Sequence, residues 1–541
     1  MTATGDAAPR RRWVAASAIA GLFLATALLR YLSLNGFSND HYQYLAGAQQ
    51  MLLGELPTRD FVDPGQPLMY SVSAGSQILL GRTLLAEAVM TALAFGVAAA
   101  CVAVIAWRMS HSLVVGLIAS GISVAAFPLP YGYPKALLYA AVPLAVWAWV
   151  RSPSHQRLIA PAFLVAIAFL FRHDHGVYLG LATTAAILLT PPMDRRTRQI
   201  RLLVFAGLVV VALVPYLVFI QSAQGLWSYA MASMRFASRE ADRTQLHLSM
   251  VESGSQAWLF YGVRVLPLIA LAFLWRAHRR GDADAPVAAM LIISAVLVNW
   301  NFLRDPLAAR IRDVIVPAVL VGAWLTGLAL RARPSVLRVP ALVIVVLMWS
   351  IGAVTVSAVG RAREQWQRTD LWLGVTEVPR LLRDKTTQLT ARYDRRQLPD
   401  GRLLPLVPFF EYLDRCTTER HRLLVTGNAS EIYVYARRPF AAGYSSVVGG
   451  YSQSDAERQH ALALAQQQII AFTIVLSDQY EDWRRAFPEL DAFVQERFRP
   501  LADIPVDEER HIRLLVHTGL PPSRLDATTG WPCFTLHDGA S

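Results

Sequence analysis

The sequence predicts an α-helical polytopic membrane protein of about 11 transmembrane helices, followed by a C-terminal extracytoplasmic α/β domain. Three observations predict it. Apolar runs recur from residue 13 to residue 358, a basic excess is confined to alternate loops between them, and the composition changes near residue 360.

Composition sets the class. Of 541 residues, 54% are hydrophobic and 17% charged, and the mean hydropathy is +0.35. An average soluble protein has about 25% charged residues. Disorder and an ordinary soluble globule are both excluded. The net charge of +12 is unevenly spread: residues 1–360 hold 28 Lys and Arg against 15 Asp and Glu, whereas residues 361–541 hold 23 against 24. A nucleic-acid binder would carry its basic face on a soluble domain, so no nucleic-acid partner is expected. Cys101, Cys416 and Cys533 form no CxxC or Cys/His cluster, which argues against a structural zinc site. Cys416 and Cys533 can pair if their domain is exported.

The spans are expected near 13–32, 83–107, 112–128, 136–150, 158–171, 176–190, 202–220, 257–275, 286–302, 314–330 and 339–358. A bilayer crossing takes about 20 apolar residues. The first run is too long for a signal-peptide core and lacks a small-residue cleavage site, so an uncleaved anchor is expected. With Arg10, Arg11 and Arg12 inside, alternate loops carry Arg108; Arg151 and Arg157; Arg195, Arg196, Arg198 and Arg201; Arg276, Arg279 and Arg280; and Arg331, Arg333 and Arg338. That side totals 16 basic residues against 4 acidic, and the rest of 1–360 has 12 against 11. The positive-inside rule makes it cytoplasmic. A single helix across 158–190 would bury Arg172, His173, Asp174 and His175 in the bilayer centre, at about 2.5–3.5 kcal/mol for each charge. Two helices meeting at an outward turn are expected instead.

Two domains follow: a transmembrane domain over 1–360, and a soluble α/β domain over 361–541 on the outer side. In the second, helices near 406–419, 454–470 and 480–496 alternate with strands near 421–426, 472–476, 498–505 and 511–517, an α/β pattern. No glycine-rich phosphate loop follows any of these strands.

The outward loops carry the chemistry. Residues 33–82 contain Phe37-Ser38-Asn39-Asp40-His41-Tyr42, then a helix on which Tyr44, Leu45, Ala48, Met51 and Leu52 share a face, an interfacial pattern. Leu52-Leu53-Gly54, Pro57 and Asp60-Phe61 follow, then Asp63-Pro64-Gly65 and a second apolar helix at 68–81. Asp60 and Asp63 suit a turn as well as a site.

An outward Asp after the first span, a helix ending in this Leu-Leu-Gly/Pro/Asp-Phe pattern, and a Pro-bounded second helix resemble the GT-C superfamily of membrane glycosyltransferases. It includes the protein O-mannosyltransferases (bacterial family 39), oligosaccharyltransferases and lipid A aminoarabinose transferases. The resemblance covers mainly residues 1–360. It implies a bacterial plasma-membrane enzyme with a cytoplasmic N-terminus, which takes a sugar from a polyprenyl-phosphate donor on the outer face. The acceptor would be a lipid, glycan or protein, and membrane lipid surrounds the chain. The family's first-loop acid maps onto Asp40. Many members have two adjacent acids, where this chain has His41.

Glycosyl transfer to a hydroxyl needs a base, a role that suits an Asp40 carboxylate in a partly dry cleft. Asp40 equally suits the cap of the helix that follows. Arg172-His173-Asp174-His175, at the turn after the fifth span, offers a phosphate-binding Arg172 and a second catalytic acid, Asp174. His173, Asp174 and His175 also form a candidate set for a divalent metal, the one cofactor considered. A self-paired Arg172–Asp174 turn is the alternative. Lys135 lies outward after Tyr131-Gly132-Tyr133-Pro134, where it suits a lipid phosphate or a snorkelling lysine. Arg304, Arg310 and Arg312 suit diphosphate recognition, or pairing with Asp305 and Asp313. The loop 221–256, with Arg235, Arg239 and Arg243, is a candidate lid. A transporter or flippase of lipid-linked sugars, which would usually show internal repeats, and a non-catalytic envelope-glycan scaffold are the competing classes.

Overall fold

The computed structural model describes residues 7–34, 36–127, 129–191, 194–245, 257–304, 308–331, 338–393, 403–447 and 453–534. Each apolar stretch forms a helix. They are α1 (Ala7–Ser33), α4 (Leu84–Ser110), α5 (Leu113–Ala125), α6 (Tyr133–Arg151), α7 (His155–Phe171), α8 (His173–Leu189) and α9 (Arg195–Ala223), then Ala257–Arg279, Ala285–Arg304, Ala308–Arg331 and Arg338–Val354. Two helices, α2 (Asn39–Leu52) and α3 (Pro67–Leu80), lie between α1 and α4 in sequence, and α10 (Leu226–Gln245) follows α9. By length and composition, four segments among the described residues are long and apolar enough to cross a membrane: Trp13–Ser33, Leu84–Ser110, Arg195–Ala223 and Asp313–Arg331.

The chain forms two compact units. One holds Met1–Leu34, Ala88–Gln221 and Glu240–Leu382; the other holds Asn35–Glu87, Ser222–Arg239 and Arg383–Ser541.

In the first unit α8 packs against α7 and against Ala285–Arg304, and α6 lies beside α7. Arg172 is extended between α7 and α8 (φ −169°, ψ 118°), so the stretch 158–190 is two helices. Gly176 permits their close approach: a Cβ there would lie 2.3 Å from Phe169 Cα, which is backbone and cannot swing aside. Several arginines of the basic loops lie over tryptophan rings, among them Arg108 over Trp107, Arg151 over Trp147, Arg201 over Trp149 and Arg279 over Trp275. Such pairs belong at a membrane–water boundary, where an amphipathic ring and a cation both find a suitable solvent.

The second unit is built on a four-stranded sheet of β1 (Arg422–Thr426), β2 (Ile470–Leu476), β3 (Phe498–Pro505) and β4 (His511–His517), in the order β1-β2-β4-β3. β1 and β2 are parallel, joined by a path that includes the helix Asp455–Gln467; β4 is antiparallel to β2 and β3. β2 is buried along its whole length, as a central strand covered on both faces must be. Leu424, Ile470, Trp483, Phe487 and Val494 share its core. Ser454 and Glu457 form a capping box that starts the helix Asp455–Gln467. The expected single helix at 480–496 is two, Tyr480–Ala486 and Pro488–Arg497, because Pro488 cannot continue a helix and instead begins one. Cys416 and Cys533 are joined by a disulfide.

α2 departs from the interfacial pattern. Tyr42, Ala48 and Gln50 are all buried, and α2 packs on α3 and on the short helix Glu431–Ala436. The Tyr42 and Tyr435 hydroxyls are 2.8 Å apart, and Gln50 Nε2 donates to the Phe440 carbonyl.

Candidate functional site

The second unit presents the first-loop acid. α2 begins at Asn39 after an extended Ser38, whose side chain makes no capping bond, so Asp40 is not the cap. It sits in the first helical turn with its side chain exposed, and its carboxylate takes no hydrogen bond or ion pair among the described residues. The next residue is opposite in character. His41 is fully buried; its Nε2 lies 2.6 Å from Glu87 Oε1, which also accepts from Ser73 Oγ at 3.0 Å. One face of the first turn is thus pinned to the start of α4, and Asp40 faces outward.

Asp60 and Asp63 are occupied by local structure. The Asp60 carboxylate accepts the Leu56 N–H at 2.7 Å and two nitrogens of Arg59, the nearest at 2.6 Å. Asp63 Oδ1 accepts the Gly65 and Gln66 N–H groups at 3.0 and 2.7 Å. Burial pushes the Asp63 carboxyl up to about 6, although these N–H groups and the Tyr229 hydroxyl favour the charged form. The rest of the motif has a packing role. Phe61 stacks edge-on to Tyr70 and Phe440, Val62 N donates to the Gly443 carbonyl, and Glu55 pairs with Arg422. Gly47 lets α3 close in: a Cβ there would lie 2.4 Å from the Tyr70 ring.

The first unit carries a different cluster. Arg172 Nε donates to Asp174 Oδ1 at 2.9 Å, and the same oxygen accepts the His175 N–H at 2.8 Å. Lys135 Nζ reaches both oxygens of Asp313, at 2.8 and 2.7 Å. The positive charges of Arg172 and Lys135 both act on Asp174. His175 Nδ1 lies 2.7 Å from the Tyr139 hydroxyl, whereas the His173 ring stacks on Phe169 and reaches Tyr216 through Nε2. The contacts of His173, Asp174 and His175 thus differ, and His175 Nε2 is buried without a hydrogen-bond partner among the described residues. Among the described residues His173, Asp174 and His175 do not bring three ligand atoms to one point.

The side chains of Arg304, Arg310 and Arg312 lie outside the described residues, as do Asp305, the Arg243 side chain and residues 246–256. Arg239 belongs to the second unit, where it pairs with Glu457 at 2.7 Å.

No family model matches the sequence, and no curated protein matches it. Solved structures do. The aminoarabinose transferase ArnT from Cupriavidus metallidurans, determined bound to undecaprenyl phosphate, matches at a TM-score of 0.50 and 15% identity, over 92% of this chain and 97% of that one. At this identity the likeness shows a shared fold. An oligosaccharyltransferase from Archaeoglobus fulgidus, in complex with zinc and sulfate, matches at a TM-score of 0.41 and 13% identity, over 88% of this chain and 71% of that one.

Several residues that engage these candidates carry little signal in the sequence. Glu87, which holds His41, shows only as an acid near the end of an apolar run. Asp313, expected beside the nearby arginines, binds Lys135, 178 residues away in sequence. Tyr139 and Tyr216 carried no signal beyond being tyrosines on spans.

Proposed function

We propose that the protein is a glycosyltransferase moving a sugar from a polyprenyl-phosphate donor to an envelope acceptor on the outer side of the membrane. The observation that carries this is Asp40: an uncommitted, exposed carboxylate on the first outward loop of a GT-C fold. The acceptor hydroxyl oxygen attacks the anomeric carbon and its proton passes to Asp40. The bond from that carbon to the carrier phosphate breaks, and the phosphate oxygen leaves with the electron pair. Arg172 and Lys135 are assigned to the carrier phosphate, with Arg304, Arg310 and Arg312 as further candidates. Asp174 orients the Arg172 guanidinium, whose planar fork suits phosphate oxygens.

A polyprenyl-phosphate partner is supported by the undecaprenyl phosphate bound to ArnT. The outward placement of the second unit is supported by the arginine-rich alternate loops and by the Cys416–Cys533 disulfide, a bond that persists in oxidising compartments.

The test is to reconstitute the protein in vesicles with radiolabelled polyprenyl-phosphate sugars and envelope extract. Label should leave the carrier and enter the acceptor fraction. Label that crosses the vesicle membrane still attached to its carrier would make the protein a transporter.

A further inference from the structure

Within the second unit an open cleft is lined by three arginines, Arg82, Arg392 and Arg437, together with Gln77 and Thr83. Among the described residues no acidic residue lines it. The nearest carboxylates are engaged beside it: Glu419 holds Arg82 at 2.7 Å, and Asp414 takes both terminal nitrogens of Arg392, which also donates to the Tyr435 carbonyl. Arg438, next in sequence, turns away to Thr417 and the Leu413 carbonyl. Arg437 differs from its neighbours. Its guanidinium donates to the Arg82 carbonyl at 3.2 Å and pairs with no carboxylate among the described residues. Burial, and then the Arg392 charge, hold it below the usual arginine value, with Asp414 opposing.

The backbone points the same way. Arg437 terminates the helix Glu431–Ala436 in the left-handed region, at φ 50° and ψ 40°. Glycine is the favoured residue there, because a side chain crowds the backbone. This left-handed stop places the Arg437 side chain on the wall of the cleft.

We propose that this cleft binds an oxyanion, a phosphate monoester or a carboxylate, carried on the acceptor saccharide. Arg437 offers a bidentate fork to two oxygens, with Arg82 and the Gln77 amide beside it. That the ligand is the acceptor rests on the transferase reading; that the cleft binds an oxyanion does not.

The experiment is calorimetric titration of the full-length protein in detergent with hexose 6-phosphate, a hexuronic acid and a neutral hexose. Arg437→Gly is the informative variant, because glycine suits the left-handed backbone and thermal stability should be unchanged or raised. The anionic sugars should bind and the neutral one should not, and Arg437→Gly should weaken binding about tenfold or more. Neutral hexose binding equally well, or wild-type binding by Arg437→Gly, would overturn the proposal. Displacement of hexose 6-phosphate by soluble short-chain phosphatidylglycerol would assign the site to a lipid headgroup and overturn the saccharide. Titrating Asp40→Asn separates the two readings: binding should persist there whatever happens to transfer.

Discussion

Asp40 and Asp174 are both acids in the first turn of a helix, and they sit in opposite electrostatic circumstances. Asp174 accepts from the guanidinium of Arg172 and from the His175 N–H. Asp40 accepts from nothing among the described residues. An acid that already binds a guanidinium is a poor proton acceptor, because protonation would sacrifice a charge-assisted bond. An uncommitted carboxylate carries no such penalty. On the proposed function, the difference assigns the roles: Asp174 fixes the Arg172 guanidinium, and Asp40 is kept for a proton.

That separation can be strained from the committed side first. Lys135→Ala removes the ammonium that Asp313 holds on the half-buried wall of the first unit, where losing one partner of a buried pair costs about 3–5 kcal/mol. The expected result is a large fall in thermal stability in detergent, mostly restored by Lys135→Met combined with Asp313→Leu. Equal stability of the single and double variants would mean the pair does little.

Gly176→Ala should cost about 1–3 kcal/mol, because the α7 backbone cannot yield to a new methyl group. Gly121→Ala is the control: nothing lies within 4 Å of its added carbon, and alanine favours the helix. Thermal unfolding of both variants sharpens the claim that the turn presenting Arg172 and Asp174 is set by backbone packing.

The smallest effect concerns Asp63. Folded, its carboxyl keeps a proton up to about pH 6, whereas in the unfolded chain it releases it near the ordinary aspartate value of about 3.9. The folded state therefore binds more protons across that window and loses stability as pH rises through it. Asp63→Asn keeps an oxygen for the Gly65 and Gln66 N–H groups and removes the ionisation. It should match wild type near pH 4 and melt higher at pH 7; parallel melting curves across that range would contradict the assignment.

What the sequence made legible follows the distance over which each cause acts. The helix break at Arg172 was readable because a charged tetrad in an apolar run is a local signal. The strands Phe498–Pro505 and His511–His517 were readable from short β-branched runs between turns. The break at Phe487-Pro488 was also local, but amphipathic periodicity masked it. Contacts between distant positions left no trace: His41 meets Glu87 across 46 residues, Lys135 meets Asp313 across 178, and the Tyr42–Tyr435 contact that buries α2 spans 393. Asp40 was visible as a candidate, but whether it capped its helix depended on Ser38 adopting the extended capping position.

The most direct measurement is the transfer rate of purified Asp40→Asn beside wild type, with one labelled polyprenyl-phosphate sugar, in samples whose thermal melting coincides. Loss of a general base should lower the rate about 10²–10⁴-fold while leaving donor binding intact. Transfer by Asp40→Asn at the wild-type rate would contradict the account.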